Sequence, residues 1–146
     1  MKNFGLGMLL LVQMSAVWAD LEVTNGWARA TPPGMPMGAI YATVTNTGTI
    51  DLEISKVFTP VARLAEIHES IEIDGLMRMR EITPFIVGAG ESVNLQPGGK
   101  HIMLMGLKGG LKEGESFLLD IQLSDHRTVI ATIITGGFGQ MSMPEI

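Results

Sequence analysis

The sequence is built from short runs of alternating or β-branched residues, and it contains no periodic segment as long as a typical helix. Gly, Pro, Asn and Asp separate these runs and mark the turns between them. The runs amount to about eight or nine strands with short connections. We therefore predict an all-β fold, an antiparallel sandwich or Greek-key barrel. Because the chain has no internal repeat, low-complexity stretch or charged linker, a single domain is the simplest organisation.

The best-defined local element is a hairpin around Asp74-Gly75, which separates the runs RLAEIHESIEI and LMRMREI. An Asp-Gly pair between alternating strands predicts a two-residue turn. That turn places His68 opposite Glu81 and Ser70 opposite Met79, so His68 and Met79 share a face as diagonal neighbours, roughly 7–8 Å apart at the backbone. The other face is predicted to form a core stripe of Ile67, Ile71, Ile73, Leu76 and Ile82.

The stretch KHIMLMGLK likewise alternates between a core-like face and a face with histidine and methionine. In an extended chain Ile102 and Leu104 face one side, as in a buried strand. His101, Met103 and Met105 face the other. Two predicted strand regions therefore each offer a histidine and methionines on the face that does not resemble a core.

The first nineteen residues have the features of a cleavable secretory signal. Lys2 is followed by the apolar run FGLGMLLLV, and the small residue Ala19 ends the segment. The apolar run is short for a membrane span, which needs about 20 residues. We expect residues 1–19 to be the signal peptide, residues 20–146 to form an exported β-barrel domain without stable membrane insertion, and about residues 137–146 to be a flexible tail.

Composition excludes several function classes. The chain has no cysteine, so it has neither disulfides nor a thiolate for catalysis or metal binding. The net charge of −5 argues against nucleic acid as a partner. The sequence shows no context for a catalytic triad and no phosphate-binding glycine loop, and we predict that the protein is not an enzyme.

Imidazole and thioether groups together favour copper, above all Cu(I), over ions that prefer oxygen ligands. A blue-copper electron-transfer site is excluded because it needs a cysteine thiolate. The spacing of His68, Met79, His101 and Met103 is H-x10-M-x21-H-x-M. This spacing, with the stretches WARATPPG, IYATVTN, MRMR and LQPGGKHIMLMGLK, resembles the PCuAC-type periplasmic copper chaperones over essentially the whole exported part of the chain.

The resemblance implies a cupredoxin-like β-barrel that binds Cu(I) through His68, Met79, His101 and Met103. It also implies delivery of copper to the CuA centre of cytochrome c oxidase, with the CuA domain and a Sco-type protein as partners. Some members bind a second ion, Cu(II), through a His- and Met-rich tail. Here the tail has Met141 and Met143 but no histidine, which argues against that second site.

Two alternatives stay open at the level of sequence. An envelope protein that sequesters copper and confers resistance would need the same ligands as a chaperone. A non-metal β-sandwich interaction module would need none of them. Met77 and Met105 share the faces of Met79 and Met103, and they are candidates for lining the site rather than for direct ligands.

Overall fold

The computed structural model describes residues 20–145, so the predicted signal peptide lies outside the described residues. Within that range no helix is long and apolar enough to cross a membrane. The described chain forms ten strands: β1 (Leu21–Arg29), β2 (Met37–Asn46), β3 (Leu52–Phe58), β4 (Ala62–Ile73), β5 (Leu76–Glu81), β6 (Phe85–Val87), β7 (Ser92–Leu95), β8 (His101–Leu107), β9 (Ser116–Leu123) and β10 (Thr128–Gly136).

Seven of the strands close into a barrel in the order β4-β8-β2-β1-β10-β9-β3, and the pairing of Val57 with Ala65 joins β3 back to β4. The predicted all-β fold is confirmed. Two details differ from the expectation. The β1–β10 pair is parallel rather than antiparallel. In addition β6, only three residues long, was too short to be recognised by its alternation.

The core lies inside the barrel and follows the two-residue period of the strands. Ile40, Ile102, Leu104, Leu119 and Ile133 are almost completely buried. On β8 and its neighbour β4, Ile102 is opposite Ile67 and faces inward with it. The alternate residues of both strands therefore lie on the outer surface of the barrel.

The β4–β5 hairpin has the register that Asp74-Gly75 predicts. His68 is opposite Glu81 and Ser70 is opposite Met79. Both turn residues have positive φ, 52° at Asp74 and 77° at Gly75, as a two-residue hairpin turn of the primed type requires.

The predicted core stripe on this hairpin is only partly correct. Ile67 is buried, but Ile73 is 44% exposed and Leu76 is 60% exposed. The reason is that β5 is an edge strand that pairs with β4 alone, so no further strand covers it. Every residue of β5 is exposed. The tip of the hairpin extends beyond the barrel wall, because β4 pairs with β8 only as far as His68. Nearer the base of the hairpin, Arg80 pairs with Glu69 on the same face.

The segment between β7 and β8 is a loop excursion and not a hairpin. Both strands pair antiparallel with the same strand, β2, with Leu95 opposite Ala42 and Ile102 opposite Ile40. The chain therefore stops pairing with β2 after Leu95, passes through a loop and pairs with β2 again as β8, which runs in the same direction as β7. A hydrogen bond from Gln96 N to Lys100 O closes this loop at 2.8 Å and makes His101 the first residue of β8.

Adjacent leucines on β9 test the assignment of inner and outer faces. Leu119 is fully buried, whereas Leu118 is 49% exposed. We expect Leu119→Ala to lower the free energy of unfolding by about 2–5 kcal/mol, because it leaves a cavity in the core. Leu118→Ala should change it by less than about 1 kcal/mol. Urea denaturation of both variants measures the difference, and equal losses would contradict the assignment.

Candidate metal centre

His68 on β4 and His101 on β8 are directly opposite each other on the outer face of the barrel. Their ring centroids are 6.2 Å apart and the ring planes are tilted by 46°. This closeness follows from strand register, because the neighbouring pair Ile67 and Ile102 must face the core. Two histidines that lie 33 positions apart in the sequence are thus brought together by one strand pair.

The His101 side chain is only 5% exposed although it lies on the outer face. Its Nδ1 lies 3.0 Å from the carbonyl oxygen of Gly99. Since a carbonyl can only accept, Nδ1 carries the proton and donates it. The other ring nitrogen, Nε2, is therefore an unprotonated acceptor, and it has no hydrogen-bond partner.

His68 is oriented by a side chain of its own strand. Its Nε2 lies 2.8 Å from Oε2 of Glu66, the residue two positions earlier on the same face. The carboxylate accepts from this nitrogen, which leaves Nδ1 of the neutral ring as a free acceptor. That Nδ1 is buried and has no partner.

Buried nitrogen and oxygen atoms in proteins nearly always have a hydrogen-bond partner, so exceptions need an explanation. Within residues 20–145 only three buried side-chain atoms lack one, and two of them are His68 Nδ1 and His101 Nε2. A histidine that binds a metal typically donates its second ring N–H to a carboxylate or a backbone carbonyl. Both histidines have this arrangement.

The two methionines of the predicted set lie on the same outer face, on either side of His68. Met103 on β8 is opposite Glu66, and Met79 on β5 is opposite Ser70. Both are diagonal neighbours of His68, at roughly 7–8 Å between backbones, within reach of long side chains. Met103 is half-buried and Met79 is 60% exposed.

The described residues offer few other metal ligands near the two histidines. Among the residues that the structure describes, no three His, Cys, Asp or Glu side chains are grouped so that they could hold a metal ion. An ion at the histidine pair would need further ligands from the neighbouring methionines. The register thus brings His68, His101, Met79 and Met103 into one neighbourhood, while their role as ligands stays a prediction.

Sequence reasoning missed two groups that orient the histidines, the Glu66 carboxylate and the Gly99 carbonyl. Glu66 could have been found, because a residue two positions before His68 shares its strand face. The Gly99 contact could not, because it depends on the backbone path of the loop between β7 and β8.

A groove of about 330 Å³ adjoins the site on the side of Met103, and we call it the methionine groove. Its lining residues include Arg29, Met35, Met37, Tyr41, Met103 and Phe138. Burial raises the pKa of the Tyr41 phenol above its ordinary value, and the Arg29 guanidinium opposes this only in part. Tyr41 therefore remains a neutral wall of the groove.

Arg29 also holds the C-terminal segment against the barrel. Its Nε donates to the carbonyl oxygen of Gln140 at 2.9 Å, and Nη2 lies 3.3 Å from the sulfur of Met141. Met141 itself is largely exposed. The predicted flexibility of this segment stays a prediction.

A family model described as "Putative lipoprotein LpqE-like" matches residues 21–134. The chain belongs to this LpqE-like family. It is the PCuAC-type family that the sequence resembles, and that prediction is confirmed.

Two curated relatives of this LpqE-like chain are similar over most of its length. "Putative lipoprotein Lxx21020" of Leifsonia xyli subsp. xyli (strain CTCB07) is 33% identical over 109 residues, which cover 74% of this chain and 64% of the relative. "Uncharacterized protein RP573" of Rickettsia prowazekii (strain Madrid E) is 27% identical over 119 residues, 79% of this chain and 66% of the relative. The chain thus spans slightly less than two thirds of either relative.

Solved structures share the fold. The apo PCuAC domain from PmoF1 has a TM-score of 0.66 at 20% identity, covering 81% of this chain and 94% of that one. The solution structure of CuI-DR1885 from Deinococcus radiodurans has a TM-score of 0.61 at 28% identity and covers 78% of each chain. The predicted cupredoxin-like barrel is confirmed.

The hydrogen bonds of the two histidines predict opposite tautomers. In the neutral form of each ring, His101 should carry its proton on Nδ1 and His68 on Nε2. Long-range ¹H–¹⁵N correlation spectra of the metal-free protein distinguish the two forms. In Glu66→Ala, His68 should lose its preference for the Nε2-protonated tautomer, while His101 keeps the proton on Nδ1. A shared tautomer in the parent protein would contradict the geometry.

Proposed function

We propose that this protein binds one Cu(I) ion at the outer face of its barrel and carries it to an acceptor protein. The ligands in this proposal are Nδ1 of His68, Nε2 of His101 and the sulfurs of Met79 and Met103. The observation that carries it is the pair of buried imidazole nitrogens, which are oriented by hydrogen bonds and lack partners of their own. The 28% identical DR1885, whose structure is described as a CuI form, supports the choice of ion.

The donor chemistry agrees with this choice. Thioethers are soft ligands that select Cu(I), and imidazole accompanies them well. Zinc more often takes Cys, His or carboxylate for its remaining ligands, and no such group completes the site among the described residues. Because the thioethers are uncharged and do not titrate, they hold Cu(I) without competition from protons.

The family and the donor chemistry support a specific cellular role. A PCuAC-type chaperone works in the cell envelope, and we place this one in the periplasm, exported by a cleaved signal peptide. The CuA centre of cytochrome c oxidase, alongside a Sco-type protein, is the proposed destination of the copper. In this role the protein transfers an ion between proteins and catalyses no reaction.

Two methionines on one face of β5 provide a matched test of the site. Met79 is a proposed ligand, and Met77 is similarly exposed, at 65% against 60%. We expect anaerobic titration with Cu(I) against a colorimetric chelator to give one tightly bound equivalent. Met79→Leu should weaken this binding at least about tenfold, since loss of an outer-shell partner alone typically costs about 10–100-fold. Met77→Leu should leave it unchanged.

His101→Ala should weaken binding of the first Cu(I) equivalent more than Met79→Leu does, since it removes a buried proposed ligand. Thermal denaturation checks that each variant is folded. Met79→Leu should leave the melting temperature almost unchanged, because Met79 is too exposed for its replacement to disturb the core. A parent protein that fails to compete with the chelator would refute the metal site. Equal effects of the two methionine variants would refute Met79 as a ligand.

Glu66 is proposed as a positioning residue that fixes the His68 ring. Removing such an outer partner typically costs about 10–100-fold in metal affinity, and we expect that loss for Glu66→Ala. The matched control is Glu69→Ala, because Glu69 lies on the opposite face of β4 and pairs with Arg80. An unchanged Cu(I) affinity in Glu66→Ala, measured with the same chelator, would contradict this role.

Delivery is separated from sequestration by a transfer experiment. The Cu(I)-loaded protein is mixed with an apo CuA domain, and the appearance of the CuA absorption bands is followed after reoxidation. A chaperone should load the acceptor faster than free chelated Cu(I) does. Retention of the ion would favour the alternative of an envelope copper-sequestering protein.

A further inference from the structure

Three methionines that are not proposed ligands lie close to Met103, which is one. Met35 and Met37, in the loop before β2 and at its first residue, line the methionine groove together with Met103. Met105, one alternation further along β8, is directly opposite Met37. Four thioether side chains thus lie on two adjacent strands and the loop that precedes one of them.

The register of β2 and β8 explains this gathering. Met37 is opposite Met105 and Ala39 is opposite Met103, so all four share the outer face of the barrel. Met37 and Met103 are diagonal neighbours, roughly 7–8 Å apart at the backbone and within reach of each other's flexible side chains. The small Ala39 side chain leaves room over Met103, and the groove runs through this space.

The loop that carries Met35 is tied to the barrel at both ends. Ala30 N donates to Gly136 O of β10 at 3.2 Å, and Leu107 N of β8 donates to Pro36 O at 3.0 Å. Met35 and Met37 are nevertheless 45% and 44% exposed. Burial in a core therefore does not account for the use of methionine at these two positions.

We propose that Met35 and Met37 in the methionine groove, with Met105 directly opposite Met37, form a second, weaker Cu(I) site, made of thioethers alone, through which copper enters and leaves the histidine site. We call it the groove site. Met103 lies between the two sites: it lines the groove and follows His101 by two residues on the same face. An ion in the groove can gain the Met103 sulfur before it releases the Met35 or Met37 sulfur. This inference rests on the proposed function, because it describes the route to that site.

Charge keeps the groove site weak. The Arg29 guanidinium lines the same groove, and its positive charge disfavours a cation nearby. Three neutral thioethers supply no compensating negative charge, in contrast to Glu66 beside His68. The ion is therefore expected to prefer the histidine site and to pass through the groove without being stored there.

The test compares the double variant Met35→Leu/Met37→Leu with the parent protein under anaerobic titration with Cu(I) and bicinchoninate. Leucine keeps the apolar volume and removes only the sulfur. We expect the parent to bind a first equivalent tightly and a second one weakly, and the double variant to lose the second while keeping the first. X-ray absorption at two equivalents should show that the second ion adds sulfur neighbours only.

Met77→Leu is the matched control, because Met77 is exposed and lies outside the groove. It should retain both equivalents. A parent that saturates at one equivalent, a double variant that still binds two, or loss of the second equivalent in Met77→Leu would each overturn the groove site. Failure of the proposed function is distinct, since the parent would then not bind even the first equivalent.

Discussion

The pairing of β4 with β8 determines both the core and the candidate site. With Ile67 opposite Ile102, these residues face inward, and His68 opposite His101 then faces outward. A slip of one residue would exchange the faces, placing imidazoles in the core and isoleucines in water. The hydrophobic effect that stabilises the barrel thus also holds the two histidines together, and no separate interaction is needed to bring them within 6.2 Å.

This arrangement has a cost in stability. A buried polar atom without a partner costs about 1–3 kcal/mol, and the site contains two such atoms. The Gly99 carbonyl and the Glu66 carboxylate satisfy one nitrogen of each ring and at the same time leave the other nitrogen available. In the proposed function a bound ion would relieve this cost, so that loading with Cu(I) would also stabilise the fold.

The parts of the structure that sequence predicts are those set by local rules. The Asp74-Gly75 turn fixes the hairpin register, and alternation along β8 separates Ile102 from His101. The exposed hairpin tip was not predictable in this way, because Ile73 and Leu76 have the alternation of a core strand while β5 has no second neighbour to cover them. Likewise, the parallel pairing of β1 with β10 joins opposite ends of the chain and leaves no local pattern.

The exposure of the proposed ligands suggests how an ion would move. His101 is nearly buried, Met103 is half-buried and Met79 is 60% exposed. In the proposed function, an incoming thiolate of an acceptor would displace the Met79 sulfur first, because Met79 would be the accessible ligand on a hairpin that projects from the barrel. The imidazoles, held by Gly99 and Glu66, would keep their positions during that exchange. A site built for permanent retention would instead bury all its ligands, so this gradient of exposure favours delivery over storage.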